Sequence, residues 1–499
     1  MNTFLNQLKN ETNYGYTENG AVKHLTTNNA VYDLFAMGAA YRERSDADCL
    51  LLFMKAFEEN EELALKCLFW IRDCRGGVGE RRFFRVCLKW LAQNHPDAVR
   101  RNLEYIPFFG RWDDLYELVD TPLANQALDL IQHQLRLDMS CEKNAISLCA
   151  KWLKSENCSS AESKRLAKIT RNYLGLTSKE YRQMLSKLRQ KINVLERLMS
   201  ANEWDKIVFD KIPSRAGLIY KNAFARREII AKKYETFAKD KNTKVNTQVL
   251  YPYEVVAKAQ KCWCNDMDDT DRLMVNKYWE NLPNYCNDKD HSILCMVDTS
   301  GSMTGSAASA PINVAISLGM YCAERLNGPF KNHYISFSSH PQLISIEGTD
   351  FVDKVRRIYW TNLCENTNLT AAFDLLLYTT LRENVKAEDI PSTIVVISDM
   401  EIDYGTREWF GSSRRGWTQE TAATEMETMR KKWAAAGLKL PRLIYWNVEA
   451  RNNTILDSGP NISFVSGMSP TLFKSILTGK NGWDLCLETI CAERYNVIK

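Results

Sequence analysis

The stretch that decides the fold of the C-terminal half reads Ile293-Leu294-Cys295-Met296-Val297-Asp298-Thr299-Ser300-Gly301-Ser302. Its first five residues form an apolar run, which predicts a buried strand. The strand then ends in a loop that carries one carboxylate and two hydroxyls, from Asp298, Ser300 and Ser302. Oxygen ligands of this kind suit a hard cation such as Mg²⁺. The stretch therefore predicts a metal site at the end of a strand.

Two later residues complete the predicted site. Asp399 ends a second apolar run, Ile394–Ser398, and Thr367 directly precedes a helical pattern. In a parallel sheet, ligands bind outside the carboxyl ends of the strands, where both carboxylates are expected. The alternative is a turn whose Ser and Asp side chains cap a helix. That alternative leaves Thr367 and Asp399 unexplained.

The five residues together resemble the metal-ion-dependent adhesion site (MIDAS) of the von Willebrand factor A (vWA) domain. The resemblance implies that Ser300, Ser302 and Thr367 coordinate the metal directly or through water. It also implies that Asp298 and Asp399 act largely through water. The implied cofactor is Mg²⁺ or another divalent cation, and its open coordination position takes an acidic group from a partner. The implied fold is an α/β Rossmann-like domain.

Strands and helices alternate after residue 290, which favours a mostly parallel sheet covered on both faces. The predicted strands are 292–298, 332–337, 342–346, 393–398, 441–447 and 462–466. The predicted helices are 308–326, 350–358, 370–383, 418–436, 470–478 and 484–494.

The pattern before residue 290 is helical almost throughout, and strand signals are nearly absent. It predicts an all-α domain of stacked helix pairs, in the manner of a HEAT-like repeat, although no period is readable. The predicted fold is therefore multidomain. Residues 1–30 are an irregular lead-in, residues 31–284 form the helical domain, and residues 285–499 form the A domain.

Length and composition place the chain among globular proteins of two or three domains, with 499 residues, 45% hydrophobic and 25% charged. The N-terminus lacks the apolar core of a signal peptide, and no apolar run approaches the length of a membrane span. The 15 cysteines are scattered, often at helical apolar positions. We interpret them as reduced core residues, and we expect a cytoplasmic protein without membrane contact.

Positive charge is concentrated in one block. Residues 161–250 hold 21 Lys and Arg against nine Asp and Glu, whereas residues 291–499 hold 20 against 22. Such a block indicates a polyanion surface, and Tyr220 and Phe224 could stack on bases. A solvated helix face with core aromatics is the other interpretation. The candidate RNA contacts are Arg182, Lys187, Arg189, Lys191, Lys211, Arg215, Lys221, Arg226 and Arg227.

Several motifs carry a second resemblance; they are Thr17-Glu18-Asn19-Gly20-Ala21, Arg75–Arg81, Ile106–Asp114, Tyr181-Arg182 and Ile212-Pro213-Ser214. They resemble a family of uncharacterised proteins that join a helical domain to a C-terminal A domain, and this resemblance covers nearly the whole chain. That family is similar in architecture to the Ro autoantigen (TROVE-type) RNA-binding proteins. The resemblance implies a ribonucleoprotein that binds small noncoding or single-stranded RNA.

Nothing in the sequence argues for catalysis. The six histidines are dispersed, no Ser-His-Asp or Cys-His set is recognisable, and a zinc site at Cys262, Cys264, Cys286 and His291 would have poor spacing. We therefore expect a non-catalytic RNA-binding protein with a Mg²⁺-dependent ligand site that accepts an acidic residue of a protein partner. The alternative is a Mg²⁺-dependent protein-interaction scaffold without nucleic acid. Phosphodiester hydrolysis would need more carboxylates around the metal.

Overall fold

The computed structural model describes residues 12–141, 146–192, 195–260, 268–286, 292–337, 340–361, 368–402, 425–456, 459 and 461–499. Its strands are β1 (Tyr14–Tyr16), β2 (Val22–His24), β3 (Ile293–Asp298), β4 (His333–Phe337), β5 (Gln342–Ser345), β6 (Thr393–Ser398), β7 (Arg442–Asn447) and β8 (Ile462–Ser466).

Helices make up most of the chain before β3. These are α1 (Ala30–Met37), α2 (Asp46–Glu59), α3 (Glu61–Arg72), α4 (Arg82–Asn94), α5 (Pro96–Asn102), α6 (Tyr105–Phe109), α7 (Ala124–Ser140), α8 (Cys149–Trp152), α9 (Ala161–Tyr173), α10 (Ser178–Ile192), α11 (Leu195–Ser200), α12 (Ser214–Ala225), α13 (Glu228–Lys239), α14 (Pro252–Gln260) and α15 (Asp269–Glu280). Those after β3 are α16 (Pro311–Arg325), α17 (Phe351–Thr361), α18 (Leu369–Arg382), α19 (Glu425–Ala435), α20 (Leu472–Ile476) and α21 (Gly482–Ile490).

The strands from β3 onward form a mixed sheet in the order β5-β4-β3-β6-β7-β8. All neighbours are parallel except β4 and β5, which are antiparallel. Every residue of the central strands β3 and β6 is buried, as the two apolar runs predict. The alternation of strands and helices expected after residue 290 is confirmed, so the C-terminal half is an α/β domain that follows a mostly helical half.

Helix α16 packs unusually close to the central strand β3. A Cβ atom at Gly319 would lie only 2.5 Å from Cγ2 of Val297, so a larger residue has no space there. Nearly all of α16 is buried. The glycine thus lets the helix pack against the strand that leads into Asp298.

Two compact units divide the chain, and they do not follow chain order. One comprises Met1–Cys67 with Leu250–Glu493, and the other comprises Leu68–Val249 with Arg494–Lys499. The first is the sheet unit and the second is the helical unit. The predicted domain boundary between residues 284 and 285 remains a prediction. Residues on both sides of it, from Leu250 to Glu493, belong to the sheet unit.

Helix α1 shows why N-terminal residues belong to the sheet unit. The hydroxyl of Tyr32 accepts a hydrogen bond from the Phe464 amide at 2.9 Å, and the hydroxyl of Ser466 donates to the Phe35 carbonyl at 3.0 Å. Both partners lie on β8, the edge strand. An N-terminal helix therefore covers the edge of a sheet formed more than 400 residues later, which protects that edge from pairing with another chain.

The residues before α1 contain a hairpin, where the sequence predicted an irregular lead-in over residues 1–30. Strands β1 and β2 are antiparallel, with Tyr14 opposite His24 and Tyr16 opposite Val22. Gly20 in the connecting turn has φ +87°, a conformation that favours glycine. Each strand has only three residues, too few for alternation to be recognised in the sequence.

The helical unit contains a buried charge network. Asp114 is fully buried, and its carboxylate accepts hydrogen bonds from Nε of Arg72 at 2.8 Å and from Nε of Arg85 at 2.7 Å. Arg72 is itself buried. This network gives the motif Ile106–Asp114 a structural role, because a buried charge is stable only when it is paired.

None of the helices in the described residues combines the length and the apolar character needed to cross a bilayer.

Candidate functional site

Asp298 is the last residue of β3 and is completely buried. Its Oδ2 accepts a hydrogen bond from the Ser398 hydroxyl at 2.5 Å, and its Oδ1 accepts one from the Ser300 backbone amide at 2.9 Å. Ser398 ends β6, the neighbouring parallel strand, so the first bond joins the carboxyl ends of two adjacent strands. The carboxylate is therefore held at the edge of the sheet where α/β folds bind ligands.

Three more of the predicted oxygen ligands lie beside this carboxylate. The hydroxyls of Ser300 and Ser302 are 3.0 Å apart. Asp399 directly follows β6 and is buried, and Oδ1 of its carboxylate accepts the Glu401 amide at 3.1 Å. Burial raises the pKa of Asp399, and the Ser302 hydroxyl is among the groups that lower it. The structure thus brings four of the five predicted residues together.

The backbone turns sharply just after Asp399. Met400 has φ +66°, which is uncommon for a residue other than glycine, and its amide donates to the Ser398 hydroxyl at 2.9 Å. Strained backbone of this kind often lies at functional sites, where the surrounding structure enforces it. Here the turn places Asp399 and Glu401 on the same loop above the sheet.

The two carboxylates affect each other's protonation. Burial, and next the negative charge of Asp399, raise the pKa of Asp298 to about 7. Burial also raises the pKa of Asp399. Two buried acids this close cannot both carry charge without a large cost, since neither is well solvated. A cation between them would remove that cost.

Oδ2 of Asp399 differs in its partners from the other carboxylate oxygens of the pair. Oδ2 of Asp399 is buried and accepts none from the described residues, although Nη2 of Arg451 lies 3.7 Å away. A buried carboxylate oxygen in this situation is costly unless a cation or water satisfies it. Carboxylate and hydroxyl oxygens around such an atom fit a hard divalent cation.

The candidate metal site depends on the serine hydroxyls as well as on the carboxylates. Within the described part of the chain, no group of three or more His, Cys, Asp and Glu side chains is arranged to hold a metal. The fifth predicted ligand, Thr367, lies outside the described residues. The remaining set is Asp298, Ser300, Ser302 and Asp399.

The turn between β1 and β2 lies on the loop that follows Asp399. The Thr17 hydroxyl donates to the Ile402 carbonyl at 2.7 Å, and the Asn19 side-chain amide donates to the Glu401 carbonyl at 2.7 Å. The Glu401 carboxylate, which is buried, accepts the Glu18 backbone amide at 2.8 Å. The N-terminal motif Thr17–Ala21 therefore forms part of the rim of the site.

Sequence reasoning missed Arg451, which lies between two acidic groups at this rim. Its Nη2 donates to the Ser302 carbonyl and lies 3.7 Å from Asp399 Oδ2, while its Nη1 lies 3.6 Å from Glu18 Oε2. No sequence signal could have found it, because its partners lie far away in the chain. Glu401, two residues after Asp399, anchors the hairpin turn through Glu18 and Asn19.

Five of the nine predicted RNA contacts are exposed on the helical unit: Arg182, Lys187, Lys211, Arg226 and Arg227. Nε of Arg182 donates to the Ser178 carbonyl at 3.3 Å, one turn earlier on α10. The Arg227 guanidinium lies 4.8 Å from the ring centroid of Trp204. A cation over an indole ring is attracted to its face.

Arg189 and Lys191 bind the protein's own backbone. Nε and Nη2 of Arg189 donate at 2.9 Å to the carbonyls of Ala150 and Leu153, at the end of α8. Nζ of Lys191 donates to carbonyls at the end of α7, most closely to Cys141 at 2.7 Å. Cations at these positions satisfy helix carbonyls that otherwise lack a partner.

The other two cations, Arg215 and Lys221, are partly buried and already take part in interactions within the protein. Of the two aromatic candidates, Phe224 is fully buried, with its ring 5.3 Å from that of Phe209. It is a core residue and has no surface for a base. Tyr220 is partly exposed, and its hydroxyl donates to Glu196 at 3.4 Å.

Comparisons with known proteins agree with a chain of two parts. Residues 17–136 and 128–290 match the family described as a domain of unknown function, DUF2828. Residues 292–493 match a second family of the same description, DUF7788. The two matched regions meet just before β3.

One relative extends over most of the chain. The uncharacterized protein L728 of Acanthamoeba polyphaga mimivirus is 28% identical over 511 residues, which cover 94% of this chain and 85% of the viral protein. Among solved structures, the crystal structure of the Ro (RSR) protein of Deinococcus radiodurans is similar at a TM-score of 0.33 and 12% identity. That comparison covers 90% of this chain and 99% of the other, but a TM-score this low does not establish a shared fold. Because the first family spans more than half of the sequence, the chain belongs to the DUF2828 family.

Proposed function

We propose that this protein is a non-catalytic binding protein whose strand-end site holds Mg²⁺ or another divalent cation in a vWA-type domain. The observation that carries this proposal is the buried Oδ2 of Asp399, which accepts no hydrogen bond from the part of the chain that the structure describes and lies beside a second buried carboxylate, Asp298. Ser300 and Ser302 add neutral oxygens to the same place. This combination supports a cation that is neutralised by two acids and held by hydroxyls.

The residues would divide the task. Ser300 and Ser302 would offer their hydroxyls to the metal, and Asp298 and Asp399 would supply the negative charge. Mg²⁺ prefers six oxygen ligands and keeps several waters when the protein supplies few. Exchange of one such water would let the metal bind an acidic group of a partner protein. Only two carboxylates lie among these four residues, so the site suits adhesion better than hydrolysis.

Isothermal titration calorimetry of MgCl₂ into the metal-stripped full-length protein tests the site. Wild-type protein should bind about one Mg²⁺ per chain. Asp399→Asn should weaken binding at least tenfold because it removes a negative charge beside the metal. The double variant Ser300→Ala/Ser302→Ala should weaken it at least tenfold because it removes two hydroxyl ligands. Asp389→Asn, at an exposed aspartate, is the matched control and should bind like wild type. Equal binding by Asp399→Asn and wild type would remove the site from consideration.

We also propose that the helical unit binds RNA, small noncoding or single-stranded, through its basic surface. The supporting observation is the set of exposed cations, on a segment with 21 Lys and Arg against nine Asp and Glu. Arg189 and Lys191 are excluded from this surface, because they hold helix carbonyls. The contacts that remain are Arg182, Lys187, Lys211, Arg226 and Arg227.

Fluorescence anisotropy with labelled single-stranded RNA over a range of salt tests this second proposal. Binding should weaken steeply as the salt concentration rises. Removing four cations that contact phosphates should reduce, by about 3, the steepness of the plot of the logarithm of the binding constant against the logarithm of the salt concentration. The variant changes Arg182, Lys187, Arg226 and Arg227 to Gln, and Lys386→Gln, at an exposed lysine of the sheet unit, is the control. Wild-type binding that is absent, or unaffected by the four changes, would favour the alternative of a Mg²⁺-dependent protein scaffold without nucleic acid.

We propose that this protein works in a reducing compartment, the cytoplasm. The twelve cysteines in the described residues are all free thiols, and most are buried. Buried free cysteines behave as small apolar residues and persist where thiols stay reduced.

A further inference from the structure

Arg451 occupies a position that a metal ion would make unfavourable. Its guanidinium lies 3.7 Å from Asp399 Oδ2, the buried oxygen that accepts no hydrogen bond in the described residues. The side chain is about one third exposed and also donates to the carbonyl of Ser302. A fixed positive charge therefore lies directly beside two of the residues proposed to bind the metal.

Without a metal, Arg451 partly compensates the buried acids. Its charge lowers the pKa of Asp399, against the larger effects of burial and in the same direction as the Glu401 amide. A divalent cation at the same carboxylate would repel the guanidinium, since like charges a few ångströms apart in a poorly solvated place interact strongly. Arg451 and the metal therefore favour different arrangements of the rim.

Glu18 offers Arg451 a second partner on the side away from the buried acids. Its Oε2 lies 3.6 Å from Nη1 of Arg451, and about half of its side chain is exposed. The turn that carries Glu18 is held by the hydrogen bonds of Thr17 and Asn19 to the loop after β6. The backbone of Glu18 is thus held at the rim, which places its carboxylate where a displaced guanidinium can remain paired.

We propose that Arg451 is a built-in competitor of the divalent cation, and that metal binding transfers its guanidinium from Asp399 to Glu18. This inference rests on the proposed metal site and concerns its regulation. In this structure the guanidinium is shared, 3.6 Å from Glu18 Oε2 and 3.7 Å from Asp399 Oδ2, and in the metal-bound state it pairs with Glu18 alone. The hairpin turn therefore responds to the metal. The two residues act on metal affinity in opposite directions.

The test uses Mg²⁺ alone, titrated calorimetrically into the metal-stripped full-length protein. Arg451→Gln should tighten Mg²⁺ binding by about tenfold, because a positive charge next to a metal ligand is gone. Glu18→Gln should weaken it about threefold, since the displaced guanidinium then has no acid to pair with. Arg451→Lys keeps the charge and should stay closer to wild type than Arg451→Gln.

The double variant Glu18→Gln/Arg451→Gln gives an internal check. If Glu18 acts only through Arg451, the double variant should bind Mg²⁺ as Arg451→Gln does. Should Arg451→Gln fail to fold, Arg451→Met replaces it, because methionine retains much of the side-chain volume without the charge. Glu18→Gln, at an exposed residue, still tests the predicted loss of Mg²⁺ affinity.

The outcomes separate the two proposals. Wild-type binding with no tightening in Arg451→Gln would overturn the competitor role and leave the metal site intact. Binding by Arg451→Gln but not by wild type would support the competitor role strongly. Lack of binding in every variant would overturn both.

Discussion

The Ser398 hydroxyl donates to Oδ2 of Asp298 at 2.5 Å and so links the ends of two strands that are 100 residues apart in the chain. Both residues are fully buried. The bond fixes the Asp298 carboxylate and favours its charged form, against burial and the charge of Asp399. Ser398 therefore positions a carboxylate of the proposed metal site without belonging to the predicted ligand set.

Ser398→Ala should weaken Mg²⁺ binding about tenfold and lower the free energy of unfolding by about 1–2 kcal/mol, because a buried carboxylate loses a donor. Calorimetry and urea denaturation measure the two effects. Ser345→Ala, at the exposed end of the edge strand β5, is the control and should change neither. A Ser398→Ala protein with wild-type Mg²⁺ affinity would show that the orientation of Asp298 does not matter.

The metal-free protein should lose stability as the pH rises from about 4 to 7. The pKa of Asp298 lies at about 7 in the folded protein, above its ordinary value of 3.8, so the folded state binds more protons in this window. The free energy of unfolding therefore falls with rising pH and levels off above pH 7. Urea denaturation in EDTA at pH 5 and pH 8 measures the change.

Comparison with Asp298→Asn isolates this effect from other titrating groups. The variant cannot ionise at this position, so its stability should fall less between pH 5 and pH 8 than that of wild type. Saturating Mg²⁺ should restore wild-type stability at pH 8, since the metal favours the ionised carboxylates. The same pH dependence in both proteins would mean that Asp298 is not the group responsible.

Arg189 should be a stability residue and not an RNA contact. Arg189→Met removes charge-assisted hydrogen bonds to the end of α8 and should cost about 1–3 kcal/mol of unfolding free energy. RNA affinity at a temperature where the variant is folded should remain within about twofold of wild type. Arg182→Met is the matched comparison, with little change in stability and weaker RNA binding. A large loss of RNA affinity in the stable, folded Arg189→Met protein would contradict this assignment.

Asp114→Asn should destabilise the helical unit more than any surface change. The substitution leaves Arg72, which is buried, without its carboxylate partner, and breaking such a pair costs about 3–5 kcal/mol. Thermal unfolding followed by circular dichroism at the helix band measures this loss. Asp120→Asn, whose ion pair with Arg165 is exposed, should cost less than about 1 kcal/mol. Similar costs for the two variants would argue against a buried network.

The sequence predicted the parts of the fold whose signals are local. The central strands are buried on both faces, so Ile293–Asp298 and Thr393–Ser398 appear as unbroken apolar runs. Asp298, Ser300, Ser302 and Asp399 could be selected as candidate site residues because they end these strands or lie in the loops that follow them. Local signals also set the start of α10, where the Thr177 hydroxyl accepts the Glu180 amide at 3.3 Å and the Glu180 carboxylate accepts the Thr177 amide at 2.8 Å in a capping box.

The parts that sequence reasoning missed depend on distant partners. The hairpin strands have three residues each, and their turn is held by residues more than 380 positions later. Arg451 acts on Ser302 and Asp399 through the fold alone. Arg189 and Arg182 are both basic residues of one amphipathic helix. Only the contact of Arg189 with carbonyls at the end of α8 distinguishes its structural role from the exposed position of Arg182.

Anomalous diffraction from crystals soaked in Mn²⁺ shows whether Asp298, Ser300, Ser302 and Asp399 share one divalent cation. We expect one anomalous peak per chain within about 2–2.5 Å of the Ser300 and Ser302 hydroxyl oxygens. The Arg451 guanidinium should have moved away from Asp399 toward Glu18. No peak at the ends of β3 and β6, in crystals that bind Mn²⁺ elsewhere, would mean that these four residues do not form a metal site.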